Sequence, residues 1–356
     1  MRILTVIGAR PQIIKSSILS RALIQESIIE EFVVHTGQHY NYDMSGIFFD
    51  QLQISPPFRN LNIQNRSNVS STAEIIAALD VVIGEIKPSL TIVFGDTNST
   101  LAGALASVKN KIPLAHIEAG LRSFDFFMQE EINRVVTDSV SSLAFCPGST
   151  SFNFLNSEVS SYPKRKIFNS GDILLDSLLC FAPILQQHPL DIKVPSQFIL
   201  ATIHRAENVD DPRILKGIIE GLNEIHSYLP VVVPLHPRTR IQIELAQLKT
   251  AFFELPPLGY LEVLKLIIKS EFVITDSGGL QREAYYLQKP SIVVRDSTEW
   301  VELINNNYSV LSSPTRIGLL TAYEKIKNQK IIINKGLYGV GNAATVIQQH
   351  ILDYLQ

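Results

Sequence analysis

The stretch LTIVFGDTNSTLAGALASVKNKIPLAHIEAGLRS, Leu90 to Ser123, holds two short apolar runs. Each ends in a carboxylate set among Gly, Ser and Thr: Asp96 after the first, Glu118 after the second. An apolar run of that length between turn residues reads as a parallel strand buried on both faces. Ligands of open α/β sheets bind beyond the carboxyl ends of such strands, so both acids are expected to face one crevice.

The same rhythm recurs on both sides of this stretch. RILTVIG, EFVVHTG, LAFCPG and KIFNSGD complete a first set of strand-like runs, and FILATIH, LPVVVPLHP, FVITDSGG and SIVVRD form a second. Helix-length segments separate them, the alternation of a doubly wound α/β sheet. The rhythm pauses over residues 180–197, CFAPILQQHPLDIKVPSQ, which carries three prolines. At 356 residues the chain exceeds the usual limit for one hydrophobic core. We therefore expect two doubly wound domains facing a cleft, residues 1–180 carrying the strand-end carboxylates and residues 195–340. The final segment, 341–356, has the apolar spacing of a helix whose docking site the sequence leaves open.

Composition removes several function classes. A net charge of −3 gives no electrostatic case for nucleic acid or an anionic membrane. No apolar run reaches the roughly 18 residues of a spanning helix. The start, MRILTVIGARPQIIK, leads into a Gly-Ala-Arg-Pro turn without a small-residue cleavage site, which points to a cytoplasmic protein. Cys146 and Cys180 lack the spacing of a zinc site or a disulfide framework.

Phosphate would find a place at VITDSGGLQREA, Val273 to Ala284, which reads as strand, small-residue turn and helix. There Gly278 and Gly279 permit close backbone approach to a ligand at a helix N-terminus. GARPQIIK adds Arg10 and Lys15 after the first strand. Strand ends also carry Glu130 and Glu131 with Arg134 in FDFFMQEEINR, His204 and Arg205 in ATIHRAEN, and His236 and Arg238 in PLHPRTR. Singly, an acid at a strand end is as readily a helix cap, and a lone His a hydrogen-bonded core residue. Recurrence at six strand ends makes an acid/base cleft the better reading. No GxGxxG follows a strand and no Asp-x-Asp occurs, so neither a tightly held dinucleotide nor a metal-bridged diphosphate is indicated.

Together GARPQIIK, HTGQH, GDTNST, HIEAGLRS, EEINR, ATIHRAEN, TDSGGLQREA and GLYGVGNAA resemble, in order and spacing, the non-hydrolysing UDP-N-acetylglucosamine 2-epimerase family over nearly the whole chain. The resemblance implies two Rossmann-like domains in the arrangement of glycogen-phosphorylase (GT-B) type glycosyltransferases, with residues 195–340 binding UDP, a homodimer, a UDP-sugar substrate, no cofactor and no metal. It implies conversion of UDP-N-acetylglucosamine to its C2 epimer by elimination of UDP, a 2-acetamidoglucal intermediate and re-addition, supplying cell-surface polysaccharide precursors. By position it makes Asp96, Glu118 and Glu130 the catalytic carboxylates and His204 the group near departing UDP. It gives Arg10, Ser277 and Gly278 to the diphosphate and Glu283 to the ribose, with Lys15, Arg205, His236, Tyr260 and Gly279 as further nucleotide contacts. Arg122, Arg134 and Arg295 are candidate sugar contacts.

Some features depart from the common family pattern. TEWVE, Thr298 to Glu302, replaces TERPE, Gln129 replaces the Pro before the paired acids, and RSF replaces RTG. These resemble the branch acting on UDP-2,3-diacetamido-2,3-dideoxyglucuronate, the alternative substrate, whose extra carboxylate would need one of the surplus arginines. GQHYNYDM keeps only Gln38 and His39 of the segment the family uses for a second, activating nucleotide-sugar, so hyperbolic kinetics without an activator are expected. A hydrolysing epimerase, a retaining GT-B glycosyltransferase and a non-catalytic sensor remain open as competing classes.

Overall fold

The computed structural model describes residues 1–37, 54–64, 67–158, 165–328, 331 and 336–356. The apolar runs Leu90–Phe94 and Leu114–Ile117 are neighbouring parallel strands, and every residue in both is buried. Helices cover both faces of the sheet, so each strand reads as an apolar run rather than an alternation. Among the described residues the first sheet is seven-stranded and parallel. Its order is β3 (Arg59–Asn60), β2 (Glu30–His35), β1 (Arg2–Ile7), β4 (Leu90–Phe94), β5 (Leu114–Ile117), β6 (Leu143–Cys146), β7 (Lys166–Asn169).

The second sheet is six-stranded and also parallel: β10 (Phe253–Leu255), β9 (Val231–Pro234), β8 (Ile199–Thr202), β11 (Val273–Thr275), β12 (Ser291–Val294), β13 (Ser309–Ser312). Each sheet thus winds outward in two directions from its first strand, the doubly wound α/β topology. The chain divides into two compact units, Met1–Phe181 with Gly336–Gln356, and Ala182–Lys335. Each has its own apolar core, one built around Leu4, Val6, Leu79, Val93 and Leu114, the other around Ile199, Ile218, Val231, Ile274 and Ile292.

Local signals explain the helices. Thr97 caps Asn98–Lys109 by accepting from the Thr100 amide, and Asp211 caps Pro212–Tyr228, which has Pro in its first turn. The proline-rich stretch is partly helical: Ile173–Gln187 runs through Pro183. The last helix, Ala343–Leu355, packs on the first unit. Asp176 Oδ1 accepts from the Ala344 amide at 2.9 Å, Gln348 donates to the Ala22 carbonyl at 2.9 Å, and His350 stacks on Phe168. Among the described residues no helix is long and apolar enough to cross a membrane.

Candidate active site

Strand order decides where a ligand can lie. In the first unit it reverses between β1 and β4, so the crevice opens beyond their carboxyl ends. Gly8-Ala9-Arg10 follows β1 and Gly95-Asp96 follows β4, with Glu118 directly after β5. In the second unit the reversal lies between β8 and β11, where His204-Arg205 and Asp276-Ser277-Gly278 stand. Arg10, Asp96, His204, Arg205 and Ser277 to Gly279 therefore sit at the topological switch point of their own unit, while Glu118 and Glu130 come after β5, His236 after β9 and Tyr260 after β10.

The first unit's two strand-end acids have different electrostatic settings. Glu118 is 4% exposed and its Oε2 accepts a hydrogen bond from the Lys15 ammonium, which is equally buried. Its φ of +69° lies in the left-handed region, uncommon for a residue with a side chain and a form of strain that concentrates at functional sites. Asp96, with 30% of its side chain exposed, is met by Arg134 Nη1 at 2.5 Å. The same guanidinium donates to Glu131 Oε2 from Nη2 at 2.6 Å and from Nε at 3.0 Å. Glu130, one residue before, is half-buried in the first turn of the helix Gln129–Val140.

Buried polar groups hold these loops. Gln12 accepts from the Gly8 and Ala9 amides and donates to the Phe94 carbonyl and to Thr97 and Thr100, tying the β1 turn to the β4 turn. At Gly8 a Cβ would stand 2.0 Å from Ser99 Oγ, so only glycine fits. Asp138 takes His116 Nδ1 at 2.7 Å, Arg122 Nη1 at 2.6 Å and the Gly120 amide at 3.1 Å, while His116 Nε2 donates to the Gly95 carbonyl. Burial would raise the Asp138 carboxyl, but His116 and Arg122 outweigh it and hold it below the ordinary carboxylate range. Glu131 behaves alike: burial pushes it up, and the Ser123 and Phe124 amides with Arg134 bring it below its usual value.

In the second unit Asp276, fully buried, accepts from the backbone amides of His204 and Arg205 and from Asn208, fixing the loop after β8. His204 Nδ1 lies 3.4 Å from Asp276 Oδ1. The His236 ring is 6.0 Å from that of His204 and caps the helix Pro237–Leu245, its Nδ1 accepting from the Arg238 amide. In the neutral ring its hydrogen is then on Nε2. Ser277 caps Gly278–Tyr286 by accepting from the Leu280 amide. A Cβ on Gly278 would meet Glu299 Oε1 at 2.6 Å, whereas one on Gly279 would meet nothing nearer than 3.8 Å. The turn therefore presents free space over Gly279 at the positive end of a helix dipole. Glu283 is buried on that helix, and Tyr260 is buried at the start of Tyr260–Lys269.

Each of the three arginines expected as sugar contacts has a carboxylate partner. Arg122 is buried against Asp138 and stacks on Phe154 at 4.9 Å, Arg134 bridges Asp96 and Glu131, and Arg295 pairs with Glu299 at 2.9 Å. Arg10 and Arg205 are half-buried at the loops after β1 and β8. Gln38 and His39 lie outside the described residues. Sequence reasoning overlooked Gln12, Asp138 and Asp276. For Asp276 the signal was present, since it ends a strand before a small-residue turn as Asp96 does.

With this geometry in place, comparison with known proteins is decisive. A family model described as UDP-N-acetylglucosamine 2-epimerase matches residues 21–352. The chain belongs to this family. It is 46% identical over 352 residues, 99% of each chain, to the UDP-2,3-diacetamido-2,3-dideoxy-D-glucuronate 2-epimerase of Pseudomonas aeruginosa. The crystal structure of the Methanocaldococcus jannaschii UDP-GlcNAc 2-epimerase in complex with UDP-GlcNAc and UDP is similar at TM-score 0.93 and 36% identity, covering 99% of this chain and 100% of that one. The Neisseria meningitidis UDP-GlcNAc 2-epimerase bound to UDP-GlcNAc matches at TM-score 0.88 and 32% identity, over 99% and 100%. As a member of an epimerase family the chain is an isomerase, and its fold is the GT-B-like α/β fold of these structures.

Proposed function

We propose that this chain inverts C2 of a UDP-linked 2-acetamido sugar by eliminating UDP and adding it back. The observation carrying the reading is the pairing of two differently set carboxylates at adjacent strand ends. Glu118 is held by Lys15 and Asp96 by Arg134, and Glu118 Oε2 lies 3.2 Å from where a Cβ on Gly95, Asp96's neighbour, would stand.

The C2 hydrogen of such a sugar is barely acidic until the C1–O bond weakens. As that bond breaks, its electron pair leaves on the UDP β-phosphate oxygen, C1 gains cationic character, and a carboxylate can take the C2 proton as C1=C2 forms. Inversion then needs a proton delivered to the opposite face of C2 while the diphosphate oxygen re-adds at C1. Two acid/base groups are required, and Asp96, Glu118 and Glu130 are the candidates. Ser277–Gly279 at the helix N-terminus, His204, His236 and Arg10 are assigned to the diphosphate charge, Glu283 to the ribose.

For the sugar itself, 46% identity to the diacetamido-glucuronate enzyme against 38% to the M. jannaschii UDP-N-acetylglucosamine enzyme favours the uronate over UDP-N-acetylglucosamine. Incubation with each UDP-sugar in D₂O, followed by NMR at C2, tests both points. Deuterium at C2 with UDP still attached supports the reading; release of free sugar, or a requirement for NAD or a metal, overturns it. A kcat/KM ratio of about 10² or more for one sugar assigns the substrate. We also infer a homodimer, on family resemblance, which light scattering of the purified chain tests.

A further inference from the structure

Arg134 is 1% exposed and lies in the second turn of the helix Gln129–Val140. Its guanidinium donates to two carboxylates and a hydroxyl: Asp96 Oδ2 at 2.5 Å, Glu131 Oε2 at 2.6 and 3.0 Å, and Ser123 Oγ at 3.2 Å. Glu131 in turn accepts from the amides of Ser123 and Phe124 and from the Ser123 hydroxyl. Those bonds hold Phe124 at φ +58°, the left-handed region in which a bulky side chain is strained. Neighbouring Asn133 donates to the Asp96 carbonyl at 2.8 Å, so both ends of the Asp96 residue are gripped by one helix turn.

We propose that Arg134 is a positioning residue for Asp96, locked in place by Glu131, and that it does not itself bind the sugar. A guanidinium presents a planar fork that can serve two carboxylates at once, which an ammonium cannot. The same group therefore sets the aim of Asp96 and the path of the loop entering Gln129–Val140. The proposal rests on the acid/base role assigned to Asp96 above.

The test compares the wild-type chain with Arg134→Ala, Arg134→Lys and Asp96→Asn, reading C2 deuterium exchange, KM and UDP affinity by calorimetry. Arg134→Ala is expected to lower kcat about 10²-fold, the scale of a misaimed catalytic group. KM and UDP affinity should stay within about threefold, and added millimolar guanidinium should restore part of the rate by refilling the site. Arg134→Lys should fall between. A raised KM with kcat intact would make Arg134 a sugar contact, and a folded Arg134→Ala chain indifferent to guanidinium would make it structural; either overturns the proposal. If Arg134→Ala does not fold, Arg134→Lys decides, since kcat unchanged there defeats the proposal. Wild-type turnover in Asp96→Asn would instead overturn the assignment of Asp96. An inactive Asp96→Asn beside a fully active Arg134→Ala overturns the positioning role alone.

Discussion

The Lys15 ammonium donates to Glu118 Oε2 across 103 residues of sequence, with 6% and 4% of the two side chains exposed. A buried ion pair contributes little net stability when intact, but losing one partner strands a charge in a low dielectric. Lys15→Met should therefore destabilise the chain by about 3–5 kcal/mol, and Lys15→Met with Glu118→Gln by clearly less. Urea unfolding of the two variants measures the difference; equal losses would mean the pair carries no such coupling.

The carboxylates are expected to fail in turnover rather than in nucleotide binding. Asp96→Asn, Glu118→Gln and Glu130→Gln should each lower kcat by about 10²-fold or more, the usual contribution of a general acid or base, while UDP still binds. Normal turnover at saturating substrate with weakened UDP binding would make them structural.

Acid should loosen the first unit through Asp138 and Glu131. Burial raises both carboxyls, yet His116 and Arg122 around the first, and the Ser123 amide and Arg134 around the second, leave both below their unfolded values. A carboxyl depressed in the folded state stabilises it fully above the unfolded value, about 4. That contribution disappears as pH falls through the folded values. Melting temperature should thus drop steeply below about pH 4, and Asp138→Asn, though less stable at neutral pH, should show a shallower acid slope. An unchanged slope would assign acid unfolding to other groups.

The two glycines of the TDSGG turn should separate stability from binding. Gly278→Ala must displace Glu299, which is buried and bonded to Arg295, so its melting temperature should fall. Gly279→Ala meets only Ser277 Oγ at 3.8 Å, an ordinary contact, and alanine is the better helix former. Its melting temperature should hold or rise while UDP affinity drops, because the methyl occupies the room assigned to phosphate. Calorimetric melting and UDP titration of both variants check this; intact UDP affinity in Gly279→Ala would move the phosphate site elsewhere.

Much of this was legible in one dimension. A strand buried on both faces must be an apolar run, and the turns that end such runs must carry small and polar residues, so ten strands and the strand-end positions of Asp96, Glu118, His204, His236 and Ser277 could be read directly. The three strands not read, β3, β10 and β13, lie at the edges of their sheets: β3 and β10 are three residues or fewer and partly or largely exposed, and β13, though mostly buried, is SVLS, with only two apolar residues to mark it in the sequence. Tertiary structure alone decided the partners. That Lys15 meets Glu118, that Arg134 reaches Asp96, that Arg122 turns to Asp138 and that the last helix returns to the first unit all depend on strand order. Local propensity can end a strand in a carboxylate, but only the winding of the sheet determines which cation stands beside it.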